Sequence, residues 1–253
     1  MASLTGKIAL ITGGGQGVGR GIAVAMAREG ADISISGRTQ EKLDATCREI
    51  EAMGRRAIGT VANVKDPAAL AVLVERTVAE LGGIDILVNN AQEVPIGNLA
   101  DVTDEQFTAG FESGPLAAFR LMKLVRPHMA ARGGGTIFNL VTSAGVRWNM
   151  AGYGAYGAVK QAMRPLVRAA AAEWGGDGIR ALSIAPHAMS PGMESWIAHN
   201  PDEAAAFFKT IPLGRVGDCV EDIGRAVAML ASDNAGYLTG ATIPLDGGQA
   251  NFD

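Results

Sequence analysis

The strongest constraint on the fold lies near the start of the chain. An apolar run at 7–12, KIALIT, passes into Thr12-Gly13-Gly14-Gly15-Gln16-Gly17-Val18-Gly19. A stretch at 17–29 follows directly, with Ile22, Val24, Ala25 and Met26 at helical spacing. Glycines allow a sharp turn and a close approach of backbone to a bulky group. A helix starting there points its free N–H groups and positive dipole end over the turn, which suits a pyrophosphate. A glycine cluster alone fits any tight turn. Its place between a strand and a helix favours the phosphate reading.

The same alternation runs along the chain. Short apolar stretches at 32–36, 57–61, 84–89, 136–141, 179–184 and 242–245 read as strands. Helical patterns lie between them, at 40–53 and at 67–81, the second opened by Asp66 as cap and Pro67 at its first position. Strand, helix, strand in regular order requires crossover connections and a parallel sheet covered on both faces. The expected fold is therefore α/β: a doubly wound parallel sheet of the Rossmann type, with about seven strands. No linker-like stretch interrupts the 253 residues, so 1–253 reads as a single domain.

Composition excludes several function classes. The net charge is −4 with no basic cluster, which argues against a nucleic-acid partner. No apolar run is long enough to span a bilayer, and no segment reads as a signal peptide. Cys47 and Cys219 are isolated and are expected as reduced thiols in a cytoplasmic protein. His128, His187 and His199 are too scattered to suggest a metal site.

Three residues carry candidate chemistry. Ser143 follows the fifth strand, Tyr156 comes thirteen residues later, and Lys160 four beyond that. On a helix spanning 151–174, Tyr156 and Lys160 share one face. A lysine charge beside a phenol favours the phenolate, so Tyr156 is expected to move a proton near neutral pH. Ser143 is placed to hydrogen-bond the same substrate oxygen. At the end of the second strand, Ser36-Gly37-Arg38-Thr39 has no carboxylate. Arg38 stands where a 2′-phosphate would lie, so NADP(H) is favoured, with NAD(H) as the alternative.

Taken together, TGGGQGVG at 12–19, Asn89-Asn90-Ala91, Ser143, YGAVK at 156–160 and Asp246-Gly247-Gly248 closely resemble the short-chain dehydrogenase/reductase family over nearly the whole length. The resemblance implies that Tyr156 is the acid/base, that Lys160 lowers its pKa and binds the nicotinamide ribose, and that Ser143 orients the substrate oxygen. It places Gly13, Gly15, Gln16, Gly17, Val18 and Gly19 on the phosphates. Asn63 and Val64 would lie against the adenine, Asn90 and Ala91 on the ribose side, and Pro186 to Met189 beside the nicotinamide. It also implies a homo-oligomer, a dimer or tetramer, which the apolar helices around 103–130 and 153–174 support. The segment from 189 to about 215 would cover the substrate.

The chain departs from the family pattern in three places. An asparagine that holds a relay water in the family corresponds to Gly114, within Phe111-Glu112-Ser113-Gly114-Pro115. A backbone carbonyl freed by Pro115, or Ser113, is the expected substitute. On that view, Gly114→Asn leaves turnover unchanged or raises it. Gln92 replaces the usual glycine after Asn-Asn-Ala and is expected in the substrate space. His187 replaces the usual glycine after Pro186, near the nicotinamide. Val146, Trp148, Met150, Tyr153, Met193 and Trp196 complete the expected substrate lining, with Ile197, Phe207 and Phe208 nearby. This lining suits an apolar or cyclic ketone/secondary-alcohol pair. The Tyr153–Lys160 spacing resembles enoyl-thioester reductases, which is one alternative. A dinucleotide-binding sensor without turnover is another.

Overall fold

The computed structural model describes residues 3–146 and 150–250. Seven strands form one sheet: β1 (Ile8–Thr12), β2 (Asp32–Gly37), β3 (Ala57–Val61), β4 (Ile86–Asn89), β5 (Gly135–Leu140), β6 (Ile179–Pro186) and β7 (Thr242–Leu245). Their order is β3-β2-β1-β4-β5-β6-β7, and every pairing is parallel. This is the doubly wound Rossmann arrangement. Strand order reverses between β1 and β4, which opens a crevice beyond their C-terminal ends.

Helices cover both faces. They are α1 (Gly17–Arg28), α2 (Gln40–Glu51), α3 (Pro67–Leu81), α4 (Asp104–Phe111), α5 (Ala117–Ala131), α6 (Gly154–Gln161), α7 (Met163–Trp174), α8 (Pro191–His199), α9 (Pro201–Phe208) and α10 (Arg225–Ala231). Successive strand residues feed opposite cores. Ile11 and Phe138 pack with Ile22, Met26 and Val227 on one face. Leu10 and Ile137 pack with Leu73, Leu121 and Val167 on the other. Burial on both sides explains why β1 is apolar throughout.

Local signals decide the element ends. Asp66 Oδ1 accepts from Ala68 N–H at 2.8 Å, Pro67 opens α3, and Gly82 closes it at φ 100°. Two expectations change. The helix foreseen over 151–174 begins at Gly154 and breaks at Ala162. Pro165 has no N–H to offer the Gln161 carbonyl, so the ladder is interrupted there. The Gly114-Pro115 stretch becomes a π-helical turn, Glu112–Leu116, in which Ala117 N–H reaches the Glu112 carbonyl five residues back. Cys47 and Cys219 are buried free thiols. Among the described residues no helix is long and apolar enough to cross a membrane.

Candidate active site

The crevice at the strand ends opens into a cleft of about 890 Å³. Gly13, Gly15, Gln16, Gly17 and Val18 line its floor. Gly13 and Gly17 have φ of 68° and 54°, a conformation that side chains disfavour. A Cβ on Gly13 would lie 2.6 Å from Asn90 Nδ2. No side chain caps α1, so its first-turn N–H groups remain available to an anion. Arg38, Asn63, Val64, Asn90, Ala91 and Pro186 continue the wall. This narrow, uncapped cradle fits a dinucleotide pyrophosphate.

Two expected cofactor residues have other roles. Gly19 does not line the cleft; a Cβ there would lie 2.3 Å from the Gly13 carbonyl oxygen, so this glycine lets α1 pack on the turn. Met189 also lies off the cleft, its N–H bonded to Gly217 O at 2.8 Å. Arg38 is largely exposed, 3.7 Å from Glu93, which also pairs with Lys65. Lys42 shares that wall and bonds Gln16 Oε1. It escaped the sequence reading because a lysine on an exposed helix face carries no signal of its own.

Tyr156 and Lys160 stand one turn apart on α6, and both line the cleft. Lys160 Nζ donates to Leu140 O, at the end of β5, at 2.6 Å and lies 6.0 Å from the Tyr156 ring centre. Burial pushes the Tyr156 phenol up, against a hydrogen bond from Thr142 that pulls it down. Burial also pushes Lys160 down, to about 7. The sequence led to an expected lowering of the phenol by the lysine charge; in this structure burial is the larger influence. Both groups are out of water, and the cost of desolvating a charge dominates each.

This has a consequence for stability. The unfolded chain holds the Lys160 proton more tightly than the fold does between pH 7 and 10.5. The burial penalty is complete below pH 7 and fades as pH rises towards 10.5. Lys160→Met is thus expected to raise the melting temperature by several degrees at pH 7, with the gain shrinking by pH 9. A gain that stays constant with pH would show that Lys160 keeps its proton in the fold.

Two hydroxyls follow β5, Thr142 and Ser143. Thr142 lines the cleft and hydrogen-bonds Tyr156. Ser143 does not line it; its Oγ donates to Asp246 Oδ2 at 2.6 Å.

On the substrate side, Gln92, Tyr153, His187, Met193 and Trp196 line the cleft, joined by Phe207. His187 and Trp196 both stand edge-on to the Phe207 ring, with centroids at 4.9 and 5.7 Å. Val146 and Met150 do not line the cleft, and neither do Ile197 or Phe208. Met150 Cε packs against Gly157. Trp148 lies outside the described residues. Val94 and Ile96, on the loop after β4, line the cleft and were missed; two apolar residues in an exposed loop were the available signal.

Gln92 and Gly114 prove to be one feature. Gln92 turns its amide inward, so that a Cβ on Gly114 would lie 2.7 Å from Nε2 and 2.9 Å from Cδ. Both amide heteroatoms are shielded from solvent and have no hydrogen-bond partner. The long side chain at 92 fills the room left by the missing one at 114. Ser113 is not free for a relay, because its Oγ donates to Ala109 O at 2.6 Å and accepts from Glu93 N–H at 2.9 Å.

Comparison with known proteins places this geometry. A family model described as enoyl-(acyl carrier protein) reductase matches residues 13–250. A 12α-hydroxysteroid dehydrogenase from a Clostridium species is 36% identical, with 98% of each chain covered. Among solved structures, a 7α-hydroxysteroid dehydrogenase in complex with NADH and 7-oxo glycochenodeoxycholic acid superposes with a TM-score of 0.93 at 30% identity, covering 98% of this chain and 96% of that one. A levodione reductase superposes with a TM-score of 0.90 at 31% identity, covering 97% and 98%.

Proposed function

This chain belongs to the short-chain dehydrogenase/reductase family, and on that premise we propose reversible transfer of a hydride between NADP(H) and an apolar or cyclic ketone/secondary-alcohol pair. The observation that carries the proposal is the placing of Tyr156 and Lys160 in one cleft with the glycine turn. The nicotinamide, when bound, supplies or accepts the hydride. The glycine turn and α1 hold its pyrophosphate, Asn63 and Val64 the adenine end, and Asn90, Ala91 and Pro186 the ribose and nicotinamide end. Tyr156 holds a proton at its Oη, giving it to the carbonyl oxygen in reduction and taking it from the alcohol in oxidation. Lys160, anchored on Leu140 O, fixes the floor beneath it.

Met193, Trp196, Phe207, Val94 and Ile96 give the outer cleft an apolar wall suited to a ring-shaped substrate. The names of the similar proteins, hydroxysteroid dehydrogenases and a dione reductase, support the same class. The test is NADPH oxidation over a panel of cyclic ketones. A second reading, enoyl-thioester reduction, is favoured by Tyr153 sharing the cleft with Lys160 and by the description of the matching family model. Turnover of a crotonyl thioester and of no ketone would select it. Tight cofactor binding with no turnover of either class would indicate a sensor.

NADP preference rests on Arg38, with Lys42 beside it. Arg38→Ala is expected to weaken NADPH binding about 10- to 100-fold, the worth of one or two charged hydrogen bonds. NADH affinity should change by less than about twofold, because it has no 2′-phosphate to lose. Fluorescence titration of both cofactors measures this. Equal losses would place the discrimination elsewhere. Self-association is supported by an apolar groove lined by Phe107, Phe111, Leu116, Phe119 and Leu166 on α4, α5, α7 and the π turn.

A further inference from the structure

Three loops meet at one carboxylate, at the end of the cleft assigned to adenine. Arg38 follows β2, Lys65 follows β3, and Glu93 lies on the loop after β4. Glu93 Oε1 is 3.1 Å from Lys65 Nζ and 3.7 Å from Arg38 Nη1, so a single oxygen faces both cations. The two contacts are unequal. The Lys65 contact is within hydrogen-bond range, and that side chain is 28% exposed. The Arg38 contact is longer than a hydrogen bond, and that side chain is 74% exposed. A loose ion pair in water is worth little and gives way easily.

Main-chain contacts hold Glu93 and Lys65 where they are. Glu93 N–H donates to Ser113 Oγ at 2.9 Å, on the π turn. Two residues on, Pro95 is buried against α4, where a Cβ on Gly110 would lie 3.1 Å from its ring. Lys65 N–H donates to Asn63 Oδ1 at 3.1 Å, and its carbonyl accepts from Arg120, on α5, at 3.0 Å. The carboxylate and the lysine are thus anchored, while the Arg38 guanidinium stands in solvent. Arg38 and Glu93 both line the cleft.

Resting on the NADP(H) reading above, we propose that Glu93 is a specificity residue for the cofactor, a built-in anion that Arg38 exchanges for a 2′-phosphate. With a ribose hydroxyl in place, Glu93 neutralises Arg38, and no unpaired cation faces an uncharged group. With a 2′-phosphate in place, Arg38 turns to it, because the phosphate offers more charge and a bidentate fit. Glu93 then stays on Lys65, beside a phosphate of like charge. That repulsion subtracts from the preference that Arg38 creates. Glu93 therefore narrows the gap between NADPH and NADH.

The test uses binding and needs no turnover. The probes are adenosine 2′,5′-bisphosphate by calorimetry and NADH by fluorescence titration. Glu93→Gln keeps the side-chain shape and removes the charge. At about 0.05 M NaCl it is expected to bind the bisphosphate about fivefold more tightly, with NADH affinity within about twofold. At about 1 M NaCl the gain should fall below about twofold, because salt screens a partly exposed charge. Lys65→Met frees Glu93 to stay on Arg38 and should weaken bisphosphate binding about threefold; in the Glu93→Gln background that loss should largely vanish. The melting temperature of Glu93→Gln without nucleotide should match wild type, as expected for an exposed pair. A Glu93→Gln variant that binds the bisphosphate no better than wild type overturns the proposal. So does one that loses NADH several-fold, since Glu93 would then be holding the ribose hydroxyls. Arg38→Ala separates the two readings. Unchanged bisphosphate binding in Glu93→Gln, beside a loss in Arg38→Ala, removes the role of Glu93 alone. Unchanged binding in Arg38→Ala removes the NADP reading and the Glu93 role with it.

Discussion

Replacing Tyr156 with phenylalanine is expected to lower kcat for ketone reduction by about three orders of magnitude, within the range for losing a positioned acid/base. NADPH affinity should stay within about twofold. The change keeps the ring and nearly all the volume, so packing around α6 is preserved. It also removes no charge: burial raises the phenol above its ordinary range, so it is protonated at neutral pH. What disappears is the proton delivered to the substrate oxygen. Stopped-flow and steady-state NADPH oxidation, read beside a cofactor titration, separate that loss from a binding defect. A kcat close to wild type would mean that another group supplies the proton. Tyr153, on the same cleft wall, would be the first candidate, which would favour the enoyl-thioester reading.

Gly114→Asn is expected to raise KM about tenfold or more and to destabilise the fold by about 1–3 kcal/mol, the usual cost of overpacking. This reverses what the sequence suggested. Backbone strain is not the cause, because Gly114 is not among the glycines with positive φ. The cause is the Gln92 amide, which occupies the space a side chain at 114 would need. Displaced, Gln92 swings into the cleft and competes with substrate. Gln92→Gly in the same chain removes the displaced side chain, so the double variant should recover both KM and melting temperature. Such a cycle should show strong coupling between the two positions. Additive effects, or a Gly114→Asn variant that matches wild type, would show that Gln92 can move aside at no cost.

The elements that were legible are those whose signals are local. Apolar runs marked the strands, Asp66 with Pro67 marked the start of α3, and the glycine cluster marked the turn between β1 and α1. Tyr156 and Lys160 were found because a helical turn is a short-range regularity, and α6 covers both. Gly19 belongs to the same turn, yet its part is packing against the Gly13 carbonyl, a distinction that glycine spacing does not contain. The direction of the Tyr156 shift was not legible either. It depends on how completely neighbouring elements exclude water from the phenol.

From the order of its residues alone, this chain determined a parallel Rossmann sheet, a glycine turn between β1 and α1, and a tyrosine and lysine on one helix face. Periodicity, capping and glycine placement act over a few residues, so they survive in the linear sequence. Tertiary structure decided the partner of Ser143, whose Oγ donates to Asp246, 103 residues away. It likewise joined Gln92 to Gly114, across the loop and helix that follow β4. Hydrogen bonds and steric exclusion between such distant partners exist only after the chain has folded.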